Sequence, residues 1–457
     1  MKIKATNLTT KITFEYDQIP HNQISDVYAM TSIQAPSYEP EEGKSSAPID
    51  IVCVIDRSGS MSGEKMKLVK SSLEFMVDQM KEEDHLSIVT FDTNVETILN
   101  VTKMNKEGKE ISRKKIKSIQ AGSCTNLSGG LFEGYSIVEE RTSDSKVCSI
   151  LLFTDGLANR GFTKTDEFVN SINKQKEKLK GPCPIFTFGF GSDHDANMLK
   201  SISESSNGLY YYVGKEDEIP SCFADCLGGL LSIVAQNIKI QLKTKNGVTI
   251  KKSLASYKAT FNDEKTICEL SIGDIYSEEF RDLVFVLNLP KLNEEIDLSN
   301  VLEFTISYFN VIEKSIQKTV LDGMLKRPKK IEGSNKPNVE LDKQRNRIET
   351  GDALDIATKL ADSSKLTEAR DVLKSMISKL NESVSGKEEF TKSLILDLNQ
   401  LLTKLENQTI YQNEGSKWMN NYSHAQKNQR ATNAGLFSST ATYENSKKKA
   451  MKTNFKK

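Results

Sequence analysis

Three short pieces of this sequence carry side chains suited to one kind of chemistry. They are Asp56-Arg57-Ser58-Gly59-Ser60, Ser123-Cys124-Thr125-Asn126 and Thr154-Asp155-Gly156. Between them they offer two carboxylates, Asp56 and Asp155, and three hydroxyls, Ser58, Ser60 and Thr125. A ligand set of oxygens alone selects a hard cation, and one this small leaves positions for water, as octahedral Mg2+ or Mn2+ requires. Neutral hydroxyls would leave such an ion under-neutralised, so it stays electrophilic toward an acidic side chain from a partner. Gly59 and Gly156 are expected to let the backbone turn tightly beside the ion. Either Asp alone commonly caps a turn; five such residues in register across three pieces are not explained that way.

No catalytic apparatus stands beside this set. The four histidines, His21, His85, His194 and His424, are far apart in sequence, and none reads as a general base. His85 opens a strand and reads as structural, and Asp193-His194-Asp195 reads as a helix start with an Asp cap. Gly189-Phe190-Gly191 lacks the third glycine of a dinucleotide fingerprint. Gly214-Lys215 lacks both the spacing and the hydroxyl of a phosphate loop. Gly59-Ser60-Met61-Ser62-Gly63 places Met61 where a nucleophile elbow needs serine. The protein is therefore expected not to be an enzyme and to take no small-molecule substrate.

The elements around the three pieces explain how they could meet. IDIVCVID (49 to 56) is an apolar strand run, followed by a helix with Met66, Val69, Leu73, Met76, Val77 and Met80 at helical spacing. LSIVTF (86 to 91), VETILNV (95 to 101), VCSILLFTD (147 to 155) and PIFTFGFG (184 to 191) read as strands, and YYYV (210 to 213) as an edge strand. The helices between them are expected at 111–119, 127–140, 165–180, 195–205 and from 217. Continuous apolar strands alternating with amphipathic helices give a mostly parallel sheet covered on both faces. Residues 49–235 are thus an α/β, doubly wound, Rossmann-like domain, and the carboxyl ends of its strands converge at the switch point where such folds bind ligands.

After Ala235 the period becomes two, and residues 236–326 read as antiparallel strands, with Asn246-Gly247 as a hairpin turn. Residues 1–48 carry strand patterns too, so one β-sandwich built from both flanks is expected, with the α/β domain inserted in it. A linker (327–340), a helical region (341–406) and an irregular, disordered, Lys-rich tail (407–457) follow.

At Asp56, Ser58, Ser60, Thr125 and Asp155 the sequence resembles the von Willebrand factor type A domain and its metal-ion-dependent adhesion site, Asp-x-Ser-x-Ser, Thr, Asp. The resemblance covers residues 49–235 and implies that Ser58, Ser60 and Thr125 are hydroxyl ligands, with Asp56 and Asp155 acting directly or through water. It implies one ion, because Met61-Ser62-Gly63 stands where integrin-like relatives carry a second acidic pair. Residues 181–235 and HAQKNQR (424 to 430) resemble an intracellular eukaryotic subgroup that joins this domain to a β-sandwich and a helical region. Some plant members of that subgroup add a RING finger and act as ubiquitin ligases. This sequence has no RING spacing of Cys and His, so direct ligase activity is not expected.

Composition narrows the remaining classes. Lys plus Arg number 62 and Asp plus Glu 62, which argues against a chain that wraps nucleic acid, and no specific nucleic acid is expected as a partner. That neutrality is a cancellation: residues 49–235 hold 22 basic and 27 acidic groups, whereas 407–457 hold 9 and 2. The basic tail is read as solvated, with an acidic lipid, nucleic acid or protein surface, the chain's own included, as its alternative contact. No run approaches the roughly 18 apolar residues of a membrane span, and MKIKATNLTTKITF has no secretory core. The seven cysteines are odd in number and scattered, and Cys222 and Cys226 lack a second pair to complete a zinc shell. A cytoplasmic protein is expected, binding partners that supply an Asp or Glu carboxylate. An adaptor in a ubiquitin-ligase pathway, or a scaffold whose ion only stabilises the fold, are the alternative roles.

Overall fold

The two runs richest in apolar residues set the architecture. Residues 49–56 and 147–154 are buried at every position, and in the computed structural model of the protein they pair side by side. The structure describes residues 6–38, 48–142, 147–155, 158–215, 218–432 and 437–455.

Two strands open the chain, β1 (Thr9–Phe14) and β2 (Ser25–Gln34). The α/β unit follows with β3 (Ile49–Asp56), α1 (Glu64–Gln79), β4 (His85–Phe91), β5 (Val95–Lys103), α2 (Lys106–Ser118) and α3 (Leu127–Glu140). It continues with β6 (Val147–Thr154), α4 (Thr165–Lys176), β7 (Ile185–Phe190), α5 (Ala196–Ser205), β8 (Tyr210–Val213) and α6 (Ile219–Leu230). Its sheet runs β5-β4-β3-β6-β7-β8, parallel except for β5. The chain leaves β3 toward β4 and later returns to β6 on the other side, so the switch point lies between β3 and β6. Side chains alternate across the sheet as a strand requires. Val52 and Val54 meet α3, α4 and α5, while Ile51, Cys53 and Ile55 meet α1, α2 and α6. Helix α2 starts at Lys106, earlier than the apolar period indicates, because Asn105 caps it by accepting from Gly108 N at 2.8 Å.

The flanks form a sandwich around this unit. Beyond α6 come β9 (Ile233–Thr244), β10 (Thr249–Ser253), β11 (Thr260–Phe261), β12 (Ile267–Tyr276), β13 (Phe280–Leu289), β14 (Ile296–Asn310) and β15 (Ser315–Arg327). One sheet is β1-β2-β13-β10 and the other β11-β12-β9-β14-β15. The N-terminal β2 pairs with β13 from Ser25↔Leu289 to Gln34↔Phe280, so residues far apart in sequence share one sheet. The Asn246-Gly247 turn forms, with φ of 53° and 75°, but it is not a hairpin. Strand β9 already has β12 and β14 on its two edges, so the turn carries the chain across to β10 in the opposite sheet.

The helical region comprises α7 (Val339–Asp362), α8 (Leu366–Glu382) and α9 (Glu389–Thr403). The expectation of an irregular tail after residue 407 is overturned. The segment folds into α10 (Gln408–Ile410), a π turn (Tyr411–Gly415), α11 (Ser416–Asn428), a 3-10 turn (Ser439–Tyr443) and α12 (Ser446–Phe455). Trp418, Met419, Tyr422 and Phe437 join the same core as α3, α5 and β8. Strand β8 is last in its sheet, yet all four residues are buried, in part beneath α11. Lys448, read as solvated, is 1% exposed, because Asp225 offers it a buried partner.

Candidate metal centre

Asp56 is the last residue of β3 and Asp155 the first after β6, so the sheet register alone places both at the switch point. From Asp56 a continuous line of polar contacts crosses between the two strands. Asp56 Oδ1 accepts from Ser58 N at 2.8 Å, which folds the loop back over the strand end. Ser58 Oγ lies 3.1 Å from Ser60 Oγ, and the Ser60 hydroxyl donates to Asp155 Oδ1 at 2.8 Å. Asp56 Oδ2 accepts from Thr154 Oγ1 at 2.6 Å, tying the first carboxylate to the strand that bears the second.

The third loop is laced to the first by its backbone. Gly59 N donates to Ser123 O at 3.2 Å and Gly122 N to Arg57 O at 2.5 Å. Thr125 is 4% exposed, and its N–H donates to Asn159 Oδ1 at 3.0 Å. Four of the five sequence-predicted residues, Asp56, Ser58, Ser60 and Asp155, are thus joined in one chain of contacts, and Thr125 lies on the loop strapped beside it. Gly156 lies outside the described residues. Gly59 does not need to be glycine for its conformation, since an added Cβ would meet Gly122 O at an ordinary 3.5 Å. The positive-φ residue of this loop is Gly63, at 78°, just before α1.

Two residues of this centre were not singled out from the sequence. Thr154 was legible only as the neighbour of Asp155. The Lys65 ammonium, from the first turn of α1, contacts Asp155 Oδ2. A lysine at a helix start reads as a solvated charge, so no sequence signal marked it.

The electrostatics follow from burial. Asp56 and Asp155 are 0% and 1% exposed. Burial pushes the Asp56 carboxyl above its ordinary value, opposed by the hydrogen bonds from Thr154 and Ser58, with the Asp155 charge adding to the rise. Lys65 supplies one positive charge against the two carboxylates, and Arg57 is engaged with Asp92 at 3.4 Å and Glu96 at 3.2 Å. A buried oxygen set with negative charge to spare is the chemistry a hard divalent cation fits. Among the described residues no three His, Cys, Asp or Glu side chains cluster as a metal site, so this set depends on its hydroxyls.

The other motifs resolve as structure. Asp195 Oδ1 caps α5 by accepting from Met198 N at 2.9 Å, and His194 Nε2 lies 2.6 Å from the Tyr210 hydroxyl. His85 Nδ1 sits 3.1 Å from Asp50, and Cys222 and Cys226 are buried thiols outside any disulfide. Among the described residues no helix is long and apolar enough to cross a membrane.

Residues 49–212 match the von Willebrand factor type A domain, and residues 337–434 match the CPSF6-like RSLD domain, N-terminal region. The chain is 28% identical over 251 residues to the E3 ubiquitin-protein ligase WAV3 of Arabidopsis thaliana, covering 53% of this chain and 31% of that protein. It is 25% identical over 313 residues to the inter-alpha-trypsin inhibitor heavy chain H3 of Rattus norvegicus, covering 65% and 34%. The match thus spans about a third of the length of these relatives. Among solved structures, a von Willebrand factor type A protein from Catenulispora acidiphila aligns with a TM-score of 0.65 at 13% identity, covering 84% of this chain and 88% of that one. The ArnB paralog VWA2 from Sulfolobus acidocaldarius aligns with a TM-score of 0.60 at 17% identity, covering 92% and 98%.

Proposed function

With residues 49–212 matching the von Willebrand factor type A domain, we propose that this protein is a non-enzymatic binding module. It captures a protein partner through a divalent ion held by Asp56, Ser58, Ser60, Thr125 and Asp155. The observation that carries the reading is the line of contacts from Asp56 through Ser58 and Ser60 to Asp155, at the switch point. When bound, Mg2+ or Mn2+ supplies an electrophilic position that takes an Asp or Glu carboxylate from the partner. The chain's own residues prepare that position. Thr154 fixes Asp56, Asp56 holds the Ser58 backbone in place, and Ser60 orients Asp155. The seven cysteines are thiols outside any disulfide, which suits the cytoplasm.

The test is affinity purification from the native source, with Mg2+ or with EDTA, followed by mass spectrometry. Asp56→Ala and Asp155→Ala are expected to weaken ion binding by about 100-fold or more, since even an outer-shell partner of a metal site is worth roughly 10–100-fold, and to lose the Mg2+-dependent partners with it. Recovery of the same partners by the double variant, or in EDTA, removes the reading.

The similarity to WAV3 over 251 residues favours a second reading, in which the captured protein is handed to a separate ubiquitin ligase. Proximity labelling that finds no ubiquitin machinery nearby would discard it. A third role, ion as fold stabiliser only, would show as a large melting-temperature loss on chelation with unchanged partner binding.

A further inference from the structure

The Lys65 ammonium stands where a cation would be most useful and where a second cation would be least welcome. Asp155 has a fully buried side chain whose Oδ1 accepts from the Ser60 hydroxyl and whose Oδ2 is held by Lys65. Lys65 itself is a quarter exposed, on the open side of the site beside Gly191, where an added Cβ would lie 3.6 Å from Nζ. Its flexible four-carbon stem starts on the first turn of α1, so the amine can exchange between the carboxylate and water without moving the helix.

We propose that Lys65 is a built-in competitor for the ion: its ammonium neutralises Asp155 while no divalent cation is bound and must leave the carboxylate when one is, so Lys65 sets how tightly this centre takes Mg2+. The inference rests on the metal-site reading above. Its physical basis is that two cations sharing one fully buried carboxylate repel each other with little screening by solvent or salt. The exchange also lets Asp155 stay buried in the ion-free protein, because a carboxylate with no counter-charge there would be strongly disfavoured.

Calorimetric titration of Mg2+, and separately Mn2+, into the wild type, Lys65→Gln and Lys65→Arg tests it. Glutamine can still donate to Asp155 but carries no charge, and it is expected to tighten Mg2+ binding by about tenfold or more. Arginine keeps the charge and is expected to stay near the wild-type affinity. Unchanged or weaker binding by Lys65→Gln overturns the proposal. A measurement on the wild type needs no variant: acetylation of the Lys65 amine, read by peptide mass spectrometry, is expected to rise several-fold at saturating Mg2+. Reactivity that does not respond to Mg2+ also overturns it. The two levels of inference fail differently. If neither wild type nor Lys65→Gln takes up Mg2+ or Mn2+, the metal-site reading itself falls; if both take it up equally, only the role of Lys65 does.

Discussion

A buried ionisable side chain must either keep a partner or give up its charge, and single residues of this protein do each. Asp56 keeps donors from Ser58 N at 2.8 Å and Thr154 Oγ1 at 2.6 Å, which oppose the rise that burial gives its pKa. His424 on α11 takes the other course. It is fully buried with Nε2 3.2 Å from Gly208 O, and burial, reinforced by the charge of Lys200, pulls its pKa down to about 3. With the ring neutral, its 4.0 Å approach to Glu204 is not an ion pair. An unfolded histidine titrates near 6.5, so between that pH and about 3 the unfolded chain binds a proton the folded chain refuses. The stability this residue contributes is therefore complete above pH 6.5 and is lost as the pH falls. His424→Gln, which can still donate to Gly208, removes the titration. By pH 4 the wild type is expected to have lost on the order of 3 kcal/mol more than the variant, relative to pH 7.5. Urea unfolding at the two pH values measures the difference, and parallel losses in both proteins would refute it.

At the scale of elements, α12 locks α6 from outside. Lys448 Nζ lies 2.9 Å from Asp225 Oδ2 and Lys452 Nζ 3.1 Å from Oδ1, while the Tyr211 hydroxyl donates to Oδ2 at 3.1 Å. Burial pushes the Asp225 carboxyl up, but the two ammonium groups outweigh it and hold it below the ordinary carboxylate value. The approach is close enough that a Cβ on Gly228 of α6 would lie 2.9 Å from the Lys448 Cα. Lys448→Met should cost about 3 kcal/mol, since it leaves Asp225 buried with half its counter-charge. The double variant Asp225→Asn/Lys448→Met should recover most of that loss, and a double-mutant cycle in denaturant decides. Gly228→Ala, which pushes α12 off its seat, should cost about 1–3 kcal/mol by the same measurement. None of this was legible in the sequence, because partners 223 residues apart leave no spacing to read. The two carboxylate loops of the candidate centre were legible for the opposite reason: each follows a strand whose apolar run marks its own end, and the parallel register of β3 and β6 then brings the ends together, while the third loop, between α2 and α3, was marked by its hydroxyl alone.

For the whole molecule, hydrophobic pattern found what hydrophobic burial builds and missed what polar burial builds. The parallel sheet and the β-sandwich flanks carry clear apolar periods, and they fold as those periods indicate. Residues 407–457 are rich in Asn, Ser, Thr and Lys, so they read as tail, yet they close the core with networks of buried polar groups. Asp397 accepts from the Tyr422 hydroxyl at 2.9 Å and from Ser438 N and Ser439 N at 2.9 and 3.0 Å. Arg430 reaches Glu279 at 2.7 Å and stacks over Tyr276, and with Arg281 it holds the Glu279 carboxyl down to about 2. Trp418 stands edge-on to Tyr212 of β8 at 4.7 Å. The charge imbalance along the chain is thus used internally: Lys427 meets Asp355, Arg430 meets Glu279, and Lys448 meets Asp225. Residues 407–432 and 437–455 consequently pack against the helical region, the α/β unit and the sandwich alike. A chain ending at residue 406 would uncover β8, leave Asp225 without either ammonium and strip Glu279 of one of its two arginines. A buried carboxylate that loses a counter-charge in this way costs up to several kcal/mol, a large part of the whole stability of a domain. The truncated chain is expected to lose its cooperative calorimetric transition and to bind a hydrophobic dye, whereas the full chain melts in one transition. A truncated protein that still melts cooperatively within about 2 °C of the full chain, the shift that roughly 1–2 kcal/mol produces at this size, would show the segment to be an accessory and not part of the core.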